Sequence, residues 1–579
     1  MGIPDPIGSF SFVLHSHIPF VRQAGGWPFG EEMLYEVMAE SYIPILNALY
    51  DLLDDGYSPS ITIGLTPVLV EQLRDSHIRE HFGEYVEERI QLARQTRVSF
   101  EEQGIDYAVQ VIDFFTNWYQ QILQTYRERY NTNLVAAFKR LQEANVIEIL
   151  TSAATHAYLP LLSTESNIWA QIMAGISSYK KIFGQDPQGI WLPECAYRPG
   201  YRWKPPVGED KPSRERPGIQ NFLANANIRY FLIDTPLLIG GETIGVYIHR
   251  FEALQKLWTA FESQYVERAV DVTKTPYSPY LLSAGKKAVA VFTRDPKSGL
   301  VVWSGEWGYP GDGWYNEFHK REMHSGLRLW RITSGEADLA DKWYYDPGMA
   351  AKRIPENASH FVHLVKETLM DHHRQTGQQG ILCAVYDTEL FGHWWFEGPE
   401  WLKLVLKGLC EESVVELTTC GRFLEAYPPD TIVSLPEGSW GKGGFHWIWM
   451  NADTAFIWEK IYECEAKMEE LAVKYADAAT TDPRLEQILK QTIRELFLLQ
   501  SSDWPFLITT WQARDYAAMR FSEHYESFQR LSRICDAYHA TRTLPPEDER
   551  FLAAIEERDN LLPEIDVHWF LYSYEKESI

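Results

Sequence analysis

What constrains this chain most is a repeated local pattern, a short apolar run that stops at a polar or ionisable residue. It occurs at Gly8 to Leu14 before His15-Ser16-His17, at Ser60 to Leu65 before Thr66-Pro67, and at Ile147 to Ala153 before Ala154-Thr155-His156. It recurs at Gly189 to Leu192 before Pro193-Glu194, at Ile228 to Ile233 before Asp234, at Ala288 to Phe292 before Arg294-Asp295, and at Ile381 to Tyr386 before Asp387. Such runs read as buried strands, and the stretches between them have helical character. Strands alternating with helices build a parallel sheet. Polar residues gathered where strands stop are the rim of a β/α barrel, where active sites sit. A doubly wound open sheet gives a similar string; candidates at so many strand ends favour a closed ring.

At 579 residues, two or three domains are expected. Residues 68–146 exceed one crossover and read as a helical insertion. Residues 198–218 are rich in Pro, Gly and charge and read as a mobile loop that follows Glu194 directly. The boundary is expected near residue 420: a catalytic barrel over 1–420, and a mainly helical C-terminal domain over 421–579.

The formal net charge of −26 argues against nucleic acid or an anionic membrane as partner and favours a neutral or cationic ligand. No apolar run approaches the roughly 20 residues of a membrane span. Six scattered cysteines form no CxxC pair, and the first residues lack a leader pattern, so a reduced, cytoplasmic protein is expected.

Glu194 and Asp387 are two carboxylates at two strand ends, each near tryptophan. Glycosyl cleavage needs one carboxylate to attack or stabilise the sugar carbon and one to protonate the departing oxygen; retention requires them about 5–5.5 Å apart. Glu389 is an alternative to Asp387. The 21 tryptophans are mostly core candidates, but Trp303, Trp307 and Trp314, Trp394, Trp395 and Trp401, and Trp440, Trp447 and Trp449 cluster in loop-like segments that suit a sugar groove. His15 and His17 have two functional readings, hydrogen bonds to sugar hydroxyls or metal ligation as in metal-dependent deacetylases. A metal needs a third ligand, with His156, Asp234 or His393 conceivable, and no compact spacing joins them. Arg294-Asp295 reads either as a ligand contact or as a structural ion pair. Nucleotide loops and serine-hydrolase elbows are absent from the sequence, and no cofactor is called for.

The motifs His15-Ser16-His17-Ile18-Pro19, Ala154-Thr155-His156, Trp191-Leu192-Pro193-Glu194-Cys195, Tyr386-Asp387-Thr388-Glu389 and Ser502-Asp503-Trp504-Pro505-Phe506, in that order, resemble glycoside hydrolase family 57. Within it the similarity is to the 1,4-α-glucan branching group, from His15 to about Trp511. The resemblance implies an incomplete (β/α)7 barrel with a helical C-terminal domain that helps form the cleft, and retaining transfer of an α-1,4-glucan to a 6-hydroxyl. Hydrolysis or 4-α-glucanotransfer are the alternatives within the family. Glu194 matches the nucleophile and Asp387 the general acid/base. Arg294, Gly311, Trp440 and Asp503 match glucan contacts, and Trp27 resembles a further groove aromatic; His15 and His156 join them as candidate substrate-binding residues. The first motif has Ile18 where the common family form has Gln. A loop shielding the covalent intermediate is expected at 198–218 or roughly 245–272, with Tyr265 as a candidate tip.

Overall fold

The computed structural model describes residues 6–26, 29–208, 212–240, 252–261, 265, 267–305 and 308–574. In chain order its strands are β1 (Gly8–Ser16), β2 (Ile61–Leu65), β3 (Ile147–Ser152), β4 (Gly189–Trp191), β5 (Tyr201–Trp203), β6 (Arg214–Arg216), β7 (Tyr230–Ile233), β8 (Tyr280–Ala284), β9 (Lys287–Thr293), β10 (Gly380–Asp387) and β11 (Val415–Leu417).

Seven of them run parallel in the order β10-β1-β2-β3-β4-β7-β9. β9 comes back to β10 through a parallel bridge between Arg294 and Cys383, where the Asp295 amide donates to the Cys383 carbonyl at 2.9 Å. The architecture is therefore a (β/α)7 barrel with a thin seam. β8 lies antiparallel on β9, and β11 pairs with the first residues of β1, below the point where β2 begins. These two strands, and the β5–β6 pair, were not evident in the sequence because they lie at the margin of the ring and are only partly buried, so they carry no continuous apolar run.

Barrel strands are covered on both faces, which explains their apolar runs. All nine residues of β1 are buried. Alternation still operates inside the runs. Ile381, Cys383 and Val385 of β10 join Val13, Trp191, Leu232 and Phe292 in the barrel interior, while Leu382, Ala384 and Tyr386 face the outer helices. With a period of two, Asp387 continues the interior series of β10 and His15 that of β1. The β1–β10 register sets these two residues opposite each other.

Residues 67–143 form four helices, Pro67–Arg74, Ser76–Glu102, Asp106–Glu128 and Leu134–Glu143, which share a core with the outer face of β1 and β2. Asp75 and Asn133 cap two of them through side-chain acceptors. Beyond residue 454 come Ala455–Ala479, Pro483–Leu499, Asp503–Thr510, Arg514–Thr541 and Pro546–Arg558. The short helix Asp503–Thr510 ends at Trp511, which adopts φ 59°, and the next helix starts at Arg514. The described helices hold no segment long and apolar enough to cross a membrane. All six cysteines are unpaired.

One expectation needs correcting. Residues 198–218 are not loop throughout: β5 and β6 form an antiparallel hairpin. Arg216 lies over the Trp203 ring at 4.6 Å, donates to the Leu162 carbonyl at 2.7 Å, and is buried. Cation–π contact and burial tie the charged run to the barrel.

Candidate active site

Glu194 sits one turn past β4 with φ 61° and ψ 24°, and Cys195 follows at φ 48°. Left-handed backbone at a non-glycine residue costs on the order of 1–3 kcal/mol and persists only where its surroundings hold it. Here Pro193 precedes it, the Cys195 amide donates to Leu192, and the Trp440 amide donates to the Glu194 carbonyl at 3.1 Å. The carboxylate is clamped at both oxygens: Trp440 Nε1 donates to Oε2 at 2.9 Å, and the Ser502 hydroxyl donates to Oε1 at 3.0 Å. Burial pushes the Glu194 carboxyl up to about 7, against the lowering effect of the Trp440 donor.

A hydrogen-bonded chain continues behind it. Ser502 Oγ lies 2.9 Å from His156 Nδ1, and His156 Nε2 lies 3.1 Å from His15 Nε2. Burial lowers both imidazoles well below the ordinary histidine value, so both are neutral. The single Ser502 proton goes to Glu194, so His156 donates from Nδ1 to Ser502. Its Nε2 then accepts, and His15 carries its proton on Nε2. His15 stacks on Trp191 at 4.5 Å, and Trp191 in turn meets Trp440 at 5.1 Å.

His17 stacks on His156 at 3.9 Å; its Nε2 lies 3.0 Å from Asp503 Oδ2 and its Nδ1 3.0 Å from Thr66 Oγ1. Burial opposes its protonated form, but the Asp503 carboxylate outweighs this and raises it. These imidazoles stack and bond to one another, while Asp234 is taken by Arg294 and His393 by Glu40. Ligand-type side chains converge at two other described places, Glu36–Glu40–His393 and Glu495–His524–Asp559. In both, arginines already accompany the carboxylates, Arg328 on Glu40 and Arg558 on Asp559.

Asp387 ends β10. Burial, then the neighbouring Glu389 and Glu194 carboxylates, push its carboxyl well above the usual range, and Arg294 only partly offsets this. Thr388 pins the turn by bonding Ser16 Oγ at 2.7 Å and accepting from Ser41 at 2.8 Å. Glu389 is occupied elsewhere, by the Tyr42 hydroxyl and the His17 amide. Between the helices Glu31–Val37 and Ile43–Asp54 lies a π-turn at Met38–Tyr42, which supplies Ser41 and Tyr42 to this rim.

Arg294 and Asp295 do not pair with each other. Arg294 Nε donates to Asp234 Oδ1 at 2.9 Å, joining the ends of β7 and β9, whereas Asp295 caps the helix Pro296–Trp303. Gly311 closes a short 3-10 turn after that helix, half-buried, and no described contact ties it to the two carboxylates. Trp27 and Trp307 lie outside the described residues. Trp395, Trp401 and Trp449 are core, fully buried. Tyr265 packs against Trp258 at 5.3 Å, and part of the segment leading to it lies outside the described residues. Sequence reasoning placed Ser502 in a motif without assigning it a task, and its hydroxyl proves to be a partner of Glu194.

The arrangement holds two carboxyl groups raised by burial, Glu194 to about 7 just past β4 and Asp387 well above the usual range at the end of β10. Two such carboxyls suit a glycosidase-type displacement. The family model for glycosyl hydrolase family 57 matches residues 11–436, and one for the C-terminal region of 1,4-alpha-glucan branching enzyme matches residues 460–570. A 1,4-alpha-glucan branching enzyme of Thermococcus kodakarensis, TK1436, is 40% identical over 556 residues, 96% of this chain and 77% of its own length. Its crystal structure gives a TM-score of 0.88 at 39% identity, covering 98% of this chain and 97% of that one. The GH57-type branching enzyme of Pyrococcus horikoshii gives 0.86 at 38%, covering 99% and 98%. The alpha-amylase AmyC of Thermotoga maritima gives 0.78 at 28%, covering 98% and 100%. With the model spanning the whole barrel and its relatives alike along nearly the full chain, this protein belongs to glycosyl hydrolase family 57.

Proposed function

We propose that the protein is a 1,4-α-glucan branching enzyme: it cleaves an α-1,4-glucan with retention and transfers the cut chain to a 6-hydroxyl. The observation that carries the reading is the pair of unlike carboxyls, Glu194 clamped by Trp440 and Ser502, and Asp387 at the end of β10, raised by burial and by its acidic neighbours. Glu194 attacks the anomeric carbon while Asp387 protonates the leaving oxygen. Asp387, now a base, takes the proton of the acceptor 6-hydroxyl as it displaces Glu194, and an α-1,6 linkage forms. Trp440 and His15 line the sugar that reacts, with His156 behind them; Asp503, held by His17, offers its carboxylate to hydroxyls. Arg294 acts first on Asp387 through its charge. Gly311 is assigned to a more distant part of the groove, and Trp27 keeps the role the resemblance implies, a further aromatic contact with the glucan. The barrel over 1–420 and the helical part over 421–579 act together on a glycogen- or starch-like polymer, and the unpaired cysteines support a cytoplasmic setting.

Hydrolysis is the competing reading, favoured by the likeness to the Thermotoga amylase. The deciding experiment incubates the protein with amylose and reads α-1,6 anomeric protons by NMR beside a reducing-end assay. New α-1,6 signals with little reducing sugar establish branching; reducing sugar without branches makes water the acceptor. Glu194→Gln serves as control, with an expected loss of about a thousandfold or more in turnover and glucan binding retained.

A further inference from the structure

Between β9 and β10 the chain makes a long excursion over the rim, and part of it is an exposed aromatic platform that the catalytic reading leaves without a task. Trp343 is 67% exposed and Tyr107, from the neighbouring helix, is 47% exposed. Between the tryptophans lies Arg331, itself only 7% exposed, with its guanidinium 4.1 Å over the Trp314 ring and 5.0 Å over that of Trp343. Among the described residues its one side-chain hydrogen bond goes to the Gly313 carbonyl, 2.7 Å from Nη1, and no carboxylate pairs with it. None of its nitrogens is both buried and without a partner, so its remaining donors open to solvent at the edge of the two indoles, where a ligand can meet them. Beside it the Tyr107 hydroxyl donates to Asp346 at 2.9 Å.

From this arrangement we infer that Trp314, Arg331 and Trp343 form a second α-glucan-binding site outside the catalytic centre, one that anchors the polymer. The chemistry selects the ligand. Flat indole faces cover the C–H face of a pyranose, while the free guanidinium N–H groups and the Asp346 carboxylate reach the hydroxyls at its edge. An anionic ligand fits poorly, because Glu336, Asp338, Asp341 and Asp346 share the segment and the chain carries a formal charge of −26. The platform is continuous with the rim. Gly313 follows Gly311 by two residues, and the Asn316 amide donates at 3.0 Å to Glu397, ten residues beyond Asp387. A long chain held here is kept close to the cleft, which raises its effective concentration there.

The inference rests on the proposed α-glucan specificity, and the test separates the two. Purified wild type, Trp343→Ala and Trp343→Phe are run in native gels containing increasing glycogen, and turnover is measured on a short linear maltooligosaccharide and on long amylose. The expected result is a five- to tenfold weaker retardation for Trp343→Ala, about what losing one aromatic stacking contact implies, with partial recovery in Trp343→Phe. Turnover of the short substrate stays unchanged and KM for amylose rises while kcat holds. Wild type and Trp343→Ala retarded equally overturns the site and leaves the enzymatic reading standing. Wild type not retarded at all overturns the glucan reading and the site together. Trp343 is mostly in solvent, so its replacement leaves the fold intact, and equal melting temperatures verify this.

Discussion

Replacing Ser502 by alanine removes the donor to Glu194 Oε1 and strands the His156 Nδ1–H that points at it. A hydrogen bond to a charged group is worth about 1.5–3 kcal/mol, so kcat/KM is expected to fall roughly ten- to a hundredfold. The direction on pH is also set. The hydroxyl favours the carboxylate form, so its loss raises the Glu194 carboxyl and moves the acid limb of the pH–rate profile upward. A purely structural defect lowers the plateau without moving that limb. In the unmodified enzyme the same reasoning puts the acid limb near pH 7, where burial holds Glu194, and activity is expected to decline as pH falls through that value because the proposed nucleophile gains a proton. The alkaline limb reports loss of the Asp387 proton, whose carboxyl is raised by burial and by its acidic neighbours. The two groups sense each other, so a kinetic profile measures values that belong to the pair. An acid limb near pH 4 overturns this account.

At the level of elements, the ends of β7 and β9 are tied by Asp234 and Arg294, 2% and 4% exposed at their side chains. Truncating one partner of a buried ion pair leaves the other charge uncompensated. Asp234→Ala is therefore expected to destabilise the protein by about 3–5 kcal/mol, read as a lower denaturant midpoint. Arg294 also partly offsets the upward push on Asp387, so a second readout is a changed alkaline limb. The strand ends were legible because a parallel strand buried on both faces has to be an apolar run, and its end is marked by the first polar residue. β8 and β11 were not, since a strand at the margin of the ring needs no such run. The helical character of the stretch between β1 and β2 was legible in the sequence. Its π-turn at Met38–Tyr42 was not, because one extra residue per turn leaves no compositional trace.

For the whole molecule, the barrel and the C-terminal helices share one apolar core. Ile190, Phe231 and Ile233 of the strands, with Leu192 just past β4, pack in the same cluster as Trp458, Ile461, Leu496 and Trp504. Both parts also meet at the site, since Ser502 and Asp503 touch Glu194 and His17. A chain ended at residue 454 is therefore expected to lose both the catalytic clamp and a large apolar interface. It should aggregate and show no cooperative transition in calorimetry, whereas the full chain melts in one step. An independently folded barrel, with its own sharp transition, overturns this and supports a separable domain near residue 420.

By itself the sequence determined the strand–helix alternation, the barrel, and the two carboxylates at strand ends, because burial and backbone period leave their mark on the order of residues. It also carried the short motifs by which the family is recognised. Only the tertiary structure decided which oxygen of Glu194 meets Trp440 and which meets Ser502, that Arg294 pairs with Asp234 and not with Asp295, and that Trp395 and Trp449 are core while Trp343 stands in solvent. Those partners lie up to 308 positions apart in the chain. A hydrogen bond or an ion pair depends on distance and direction in space, and nothing in the local order of residues encodes either.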